Sequence, residues 1–220
     1  MLYMADLIIC TCHFFKIVEQ FNGVVLLYGV YRFAMRLLSL LTIVIVGGAC
    51  NQNDVSNSTS MSLQANFHSL QARTLEGKIV DFSTFKGKKV LLVNTATACG
   101  LTPQLVGLQQ LHKQYGDQLV VVGIPTNDFA SQEPREGEEI GAFCQRNYGV
   151  DFLMLEKSTT KGSNKHPVFK WLTEKKLNGK KSSRIWWNFQ KYLVNEQGEL
   201  IDYFLPITQP DSPKILEQLK

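Results

Sequence analysis

Two short apolar runs constrain this chain more than any other feature. Lys89–Thr95 (Lys-Val-Leu-Leu-Val-Asn-Thr) and Leu119–Ile124 are near-continuous in apolar residues rather than alternating. That is the pattern of strands buried on both faces of an α/β sheet. Between them, Thr102–Tyr115 places Leu105, Leu108, Leu111 and His112 on one helical face. Thr102 is positioned to cap this helix, and Pro103 suits its first turn.

The same alternation continues on either side. Leu70–Arg73 and Ile79–Phe82 flank Thr74-Leu75-Glu76-Gly77 and read as a hairpin. Glu138–Arg146 reads as a helix with Ile140 and Phe143 inward, followed by a short extended piece at Asp151–Leu155. His166–Lys175 is a further helix. Lys191–Asn195 and Glu199–Phe204 form a second hairpin around Glu196-Gln197-Gly198, and Ser212–Leu219 closes the chain as a helix. The order predicts an α/β domain with a central mixed sheet flanked by helices and an N-terminal β-hairpin. It resembles the thioredoxin-like fold.

This body, residues 67–220, is one domain by size, large enough to bury a core without disulfide staples. Residues 1–50 differ in kind, being apolar and nearly free of acidic side chains. Within them, residues 35–50 read as an export signal: Arg36, then the apolar run Leu37–Val46, then Gly47-Gly48-Ala49-Cys50. The run is short for a membrane span. Small residues before a cysteine resemble a bacterial lipoprotein cleavage box, with Cys50 as the lipid-bearing residue, although Gly47 stands where Leu or Val is usual; a signal cleaved to a soluble protein, or one retained as an anchor, is the alternative. Met35 is a second candidate start beside Met1. Residues 51–66 are rich in Asn, Gln, Ser and Thr and read as a flexible polar linker. The expected location is the cell envelope, facing the periplasm, with membrane attachment through the N-terminus.

The net charge of +4 is modest and scattered, with one denser run at Lys175, Lys176, Lys180 and Lys181. No basic stripe interleaved with aromatics is present, so nucleic acid is not an expected partner. Of five cysteines, Cys10, Cys12 and Cys50 lie in the leader, and Cys99 and Cys144 in the body. This is neither a disulfide framework nor a zinc spacing.

Cys99 stands out by position. It follows a buried strand and precedes a helix, at the sheet edge where α/β active sites gather. A helix N-terminus offers free N–H groups and partial positive charge, which favour a thiolate. Cys99-Gly100-Leu101-Thr102 has the spacing of a CxxC redox motif with Thr in place of the second Cys. Such a site can attack but has no adjacent thiol to resolve it, which favours one-thiol oxidation over ordinary disulfide exchange. A buried, inert cysteine is the competing reading of position alone.

Three ordered segments carry a resemblance. Asn94-Thr95-Ala96-Thr97-Ala98-Cys99-Gly100-Leu101-Thr102 resembles the nucleophile segment of the glutathione peroxidase family. Pro125-Thr126-Asn127-Asp128-Phe129-Ala130-Ser131-Gln132-Glu133-Pro134 resembles its second motif, Pro-Cys-Asn-Gln-Phe-Gly-x-Gln-Glu-Pro. Trp187-Asn188-Phe189, followed by Lys191-Tyr192-Leu193-Val194, resembles its third, Trp-Asn-Phe-x-Lys-Phe-Leu. The resemblance implies a catalytic tetrad of Cys99, Gln132, Trp187 and Asn188. The indole and amide N–H groups would then aim at the sulfur and orient the peroxide. Trp186, outside the motif, reads as packing. Thr126 and Asp128 depart from the motif's Cys and Gln without touching the tetrad.

The implied activity is reduction of hydrogen peroxide and organic hydroperoxides, as in the response to oxidative stress, with no cofactor beyond a thiol co-substrate, glutathione or thioredoxin. Cys144, in Phe143-Cys144-Gln145-Arg146-Asn147-Tyr148, resembles the resolving cysteine of thioredoxin-using members; a buried structural thiol is the alternative. The short stretch between His166 and Trp187 resembles the compact, monomeric type. Two rival functions differ in class: a thiol–disulfide oxidoreductase or redox sensor acting on a partner protein, and a non-enzymatic envelope lipoprotein.

Overall fold

The computed structural model describes residues 66–220. The leader, the signal-like segment 35–50, Cys50 and the linker up to residue 65 lie outside the described residues. Asn66 caps the first 3-10 turn, Phe67–Ser69, its side-chain oxygen accepting from the His68 amide at 2.8 Å.

Strands β1 (Gln71–Arg73) and β2 (Ile79–Asp81) pair antiparallel, with Ala72 opposite Val80. Gly77 takes φ 78° in the turn, and its N–H reaches Thr74 O at 2.9 Å. The strand expected to include Phe82 stops one residue earlier. Asp81 accepts from the Ser83 amide at 2.8 Å and starts a 3-10 turn, Phe82–Phe85, which buries both aromatic rings.

The main sheet holds β3 (Lys89–Thr95), β4 (Leu119–Pro125), β5 (Leu153–Met154), β6 (Lys191–Val194) and β7 (Leu200–Phe204), in the order β5-β4-β3-β6-β7. The β3–β4 and β4–β5 pairs are parallel, and β3–β6 and β6–β7 are antiparallel. Parallel neighbours need long crossovers. Helix α1 (Gln104–Tyr115) supplies one and α2 (Gly137–Tyr148) the other. Helices α3 (Pro167–Thr173), α4 (Lys175–Asn178) and α5 (Pro213–Leu216) complete the domain.

The apolar run of β3 splits by strand periodicity. Leu91 and Val93 pack with Leu105, Leu108, Ile140 and Cys144 on one face. Val90 and Leu92 pack with Phe67, Phe82, Phe169 and Trp171 on the other. Burying a side chain of this size contributes roughly 1.5–3 kcal/mol, so β3 is a firm base for the segment that follows it.

Two local expectations change. Thr102 does not cap α1, whose N-cap is Pro103 with no side-chain bond. Its hydroxyl accepts instead from the Cys99 amide at 3.1 Å and lies 2.6 Å from Cys99 O and 2.9 Å from Ala96 O. On α2 the inward residue is Cys144, 1% exposed, while Phe143 is only half-buried. One residue on a helix is about 100° of rotation, which turns Phe143 outward, its ring 4.0 Å from the Arg135 guanidinium carbon.

Candidate active site

Cys99 lies four residues beyond β3, in the turn that leads into α1. It is 8% exposed, and its Sγ accepts a hydrogen bond from the Leu101 amide at 3.4 Å. An N–H aimed at sulfur stabilises negative charge there. Thr102 closes the turn through the bonds described above and through its own N–H to Cys99 O at 3.0 Å. A Cβ placed on Gly100 would meet nothing within 4 Å, so the face beside the sulfur is open. Two grooves, of about 620 Å³ beside β7 and α5 and about 540 Å³ beside α2 and β5, do not include Cys99.

The loop after β4 brings Gln132 to this turn. Ala98 N–H donates to Gln132 O at 2.9 Å. Next to it, Glu133 is fully buried and grips Thr97, accepting from the Thr97 amide at 2.9 Å and from its hydroxyl at 2.6 Å. Arg135 completes the cluster with an N–H to Thr97 Oγ1 at 2.8 Å. Burial pushes the Glu133 carboxyl above its ordinary range, outweighing the hydrogen bonds from Thr97 and Arg135 and the Arg135 charge. Within the loop, Ala130 and Ser131 both take φ 53°. Non-glycine residues in the left-handed region cost on the order of 1 kcal/mol or more each, and such outliers gather at functional sites.

The third segment arrives from the other side of β3. Asn94, 2% exposed, donates its side-chain amide to Trp187 O at 3.0 Å and accepts from the Gln190 amide at 3.0 Å. Its backbone oxygen accepts from Phe189 N–H at 2.6 Å. Phe189 is buried at φ 68°. The result aims Asn188, fully buried, at Gln132: Asn188 Nδ2 donates to Gln132 Oε1 at 3.0 Å. Trp187 is 38% exposed, its ring centroid 5.7 Å from that of Phe129. Trp186 is 57% exposed, with Arg184 5.1 Å from its ring.

All four residues expected at the site therefore lie on three segments tied to one another. The expected donors do not, however, bond the sulfur. Among the described residues the hydrogen bond to Sγ comes from Leu101 N–H, and the Asn188 amide is engaged by Gln132. With Oε1 occupied, Gln132 presents its NH₂ as the free end of its side chain. Cys144 is in the same apolar cluster as Cys99, and both are free thiols. Burial pushes the Cys144 thiol up to about 12, with the Glu133 carboxylate adding to the rise.

Sequence reasoning missed Asn94, Thr97, Glu133 and Arg135. Asn94 had a signal, being the polar residue at the end of an otherwise apolar strand. Glu133 had none, because a glutamate beside a proline reads as surface until its partners are known.

Comparison with known proteins bears on the family of the chain. The family description "Glutathione peroxidase" matches residues 67–173. A glutathione peroxidase of Lactococcus lactis subsp. cremoris is 44% identical over 147 residues, 66% of this chain and 93% of that one. A glutathione peroxidase-like peroxiredoxin of Schizosaccharomyces pombe is 44% identical over 149 residues, 67% of this chain and 93% of that one. The crystal structure of Trgpx in apo form superposes with a TM-score of 0.55 at 32% identity, covering 70% of this chain and 95% of that one. With its thioredoxin-like sheet and three tethered motif segments, the chain belongs to the glutathione peroxidase family.

Proposed function

We propose that Cys99 is the attacking thiol of this peroxidase, assisted by Gln132, Trp187 and Asn188. Family membership makes the chain an oxidoreductase that reduces hydroperoxides with a thiol reductant. The observation that carries the site assignment is the pair of bonds at Gln132. Ala98 N–H to Gln132 O, at 2.9 Å, and Asn188 Nδ2 to Gln132 Oε1, at 3.0 Å, gather the sulfur-bearing turn and two motif segments into one unit.

The chemistry follows from that unit. The Cys99 thiolate attacks the outer oxygen of a hydroperoxide along the O–O axis. The S–O bond forms as the O–O bond breaks, and the alkoxide or hydroxide leaves with a proton from the site or from water. Sulfur is oxidised by two electrons to the sulfenic acid, and the peroxide is reduced to alcohol or water. Leu101 N–H holds the sulfur charge before attack. The Gln132 amide and the Trp187 indole are the donors suited to the leaving oxygen, where charge develops. The open face beside Gly100 suits bulky organic hydroperoxides as well as hydrogen peroxide.

We assign resolution to Cys144. Its thiol displaces water from the sulfenic acid to form a Cys99–Cys144 disulfide, which a thioredoxin-like dithiol then reduces. Full burial of Cys144 means that α2 must loosen before this step. If Cys144 does not resolve, glutathione is the alternative thiol reductant, acting directly on the Cys99 sulfenic acid. The reading needs no metal or organic cofactor. For the whole chain we propose a monomeric body, from the short stretch between His166 and Trp187, tethered to the envelope through lipid on Cys50, from the leader composition.

The test is a brief peroxide pulse on the purified protein, followed by mass spectrometry. Cys99 should carry the sulfenic acid in Cys144→Ser and the disulfide to Cys144 in the unaltered chain. If Cys99→Ser reduces peroxide at the unaltered rate, the assignment fails.

A further inference from the structure

The loop that presents Gln132 holds two adjacent residues, Ala130 and Ser131, at φ 53°. The family motif quoted above has Gly at the first of these positions, where a left-handed backbone is free of the Cβ clash. Ala130 bears that clash, so something else must hold the loop in shape. Two residues earlier the motif has Gln, and here stands Asp128.

Asp128 is the most heavily bonded side chain of the loop. Its carboxylate accepts from the Thr160 amide, from Thr160 Oγ1 at 2.7 Å and from Thr159 Oγ1 at 3.0 Å. Its backbone oxygen accepts from Lys161 Nζ at 3.0 Å. The same ammonium sits 4.0 Å from the centroid of the Phe129 ring, and that ring packs against Trp187. At the other end of the loop, Asn127 Oδ1 accepts from the Glu133 amide at 2.9 Å. The strained pair is thus pinned on both sides, and the Asp128 pin is shared with the packing behind the indole. Burial pushes the Asp128 carboxyl up, but the bonds from Thr160 and Thr159 and the Lys161 charge outweigh it and leave it below its ordinary range. The carboxylate is therefore ionised, the form that accepts from three donors.

We propose that Asp128 is a positioning residue for the peroxidatic step: by binding the 159–161 segment it holds the left-handed turn at Ala130 and Ser131, and so fixes Gln132 and Trp187 over Cys99. The inference rests on the roles given above to Cys99, Gln132 and Trp187. It makes two of the three departures from the quoted motif, Asp128 and Ala130, one device, in which Asp128 compensates for the missing glycine at position 130. A conformational cost at Ala130 should therefore be interchangeable with the clamp at Asp128.

The experiment measures the second-order rate of Cys99 oxidation by hydrogen peroxide, under single turnover, in the full chain. Urea unfolding is followed in parallel. Asp128→Asn keeps the shape of the side chain but presents an NH₂ to donors. It should slow oxidation by about tenfold or more, the scale on which small misplacements of catalytic groups act. Ala130→Gly alone should leave the rate within about twofold, because glycine accepts the same φ. Asp128→Asn combined with Ala130→Gly should recover most of the lost rate, to within about threefold of the unaltered chain. Rescue of that kind is not expected of a residue that merely stabilises the fold. Gln132→Ala is the control for the underlying reading. If Asp128→Asn leaves the rate unchanged while Gln132→Ala slows it, the inference is overturned and the site assignment stands. If Asp128→Asn slows oxidation and Ala130→Gly does not restore it, the compensation is also overturned. If Gln132→Ala leaves the rate unchanged, the site assignment fails, and the inference with it.

Discussion

Replacing Lys191 with methionine should remove a pH dependence of stability that is unusual for a lysine. Lys191 is fully buried in β6, three residues after Asn188. Its ammonium bonds Gln104 Oε1, Pro206 O at 3.1 Å and Thr208 O at 2.6 Å. Gln104 is the first residue of α1, so the lysine also steadies the helix that follows the Cys99 turn. Burial lowers its pKa from 10.5 to about 7. At 1.36 kcal/mol per unit, a fall of that size sets a ceiling of ~5 kcal/mol. Three oxygen acceptors oppose the fall by holding the charged form, and ~2 kcal/mol is the working figure once such bonds are counted. The direction is fixed by proton counting. The unfolded chain keeps this proton up to about pH 10 while the folded chain releases it at a lower pH, so within the window between about pH 7 and 10 stability rises with pH. Urea unfolding at several pH values, in a Cys99→Ser background to prevent oxidation, gives the curve. The unaltered side chain should gain ~2 kcal/mol relative to Lys191→Met across that window. Taking the difference cancels the other titrating groups. A flat difference would show that Lys191 ionises as an exposed lysine does, and a falling one that its acceptors hold the proton more tightly than water does; either would refute the burial argument.

Two further outcomes follow from the site. In the reduced, folded protein, iodoacetamide at about pH 8, near the ordinary thiol range, should label Cys99 well before Cys144, which is 1% exposed and has its thiol pushed up to about 12. Peptide mass spectrometry reads the order, and equal labelling before unfolding would contradict the buried placement of Cys144. Asn94→Ala should cost about 2–4 kcal/mol, since it leaves the buried Trp187 carbonyl and Gln190 amide without their partner. It should also slow Cys99 oxidation, because Trp187 and Asn188 lose their tether; an unfolding midpoint unchanged from that of the unaltered chain would remove Asn94 from the scaffold.

The placement of Asp128 bears on how the site tolerates departures from its motif. Thr126 and Asp128 look neutral in sequence because neither belongs to the tetrad. In the fold, Thr126 is fully buried, and its hydroxyl accepts from the Asp128 amide at 3.4 Å. Asp128 reaches a segment some thirty residues away. On the proposal made for Asp128, a substitution outside the four site residues would act on them through the loop that bears Gln132.

The buried strands, the succession of most elements and the residues proposed for the chemistry were legible in the amino-acid sequence. Continuous apolar runs specify strands buried on two faces whatever their surroundings, and β3 begins and ends where its pattern does. Ordered motifs pointed to Cys99, Gln132, Trp187 and Asn188 as the proposed site because residue type and spacing survive in one dimension. Contacts between distant segments do not. That Thr102 folds back on Cys99 rather than capping α1, that Glu133 is buried against Thr97, and that Asn188 spends its amide on Gln132 were decided by tertiary structure. Each is a polar group removed from water, and its partner is whichever group the packed chain brings within about 3 Å. Hydrophobic periodicity is local and legible; the satisfaction of buried polar groups is a property of the closed fold.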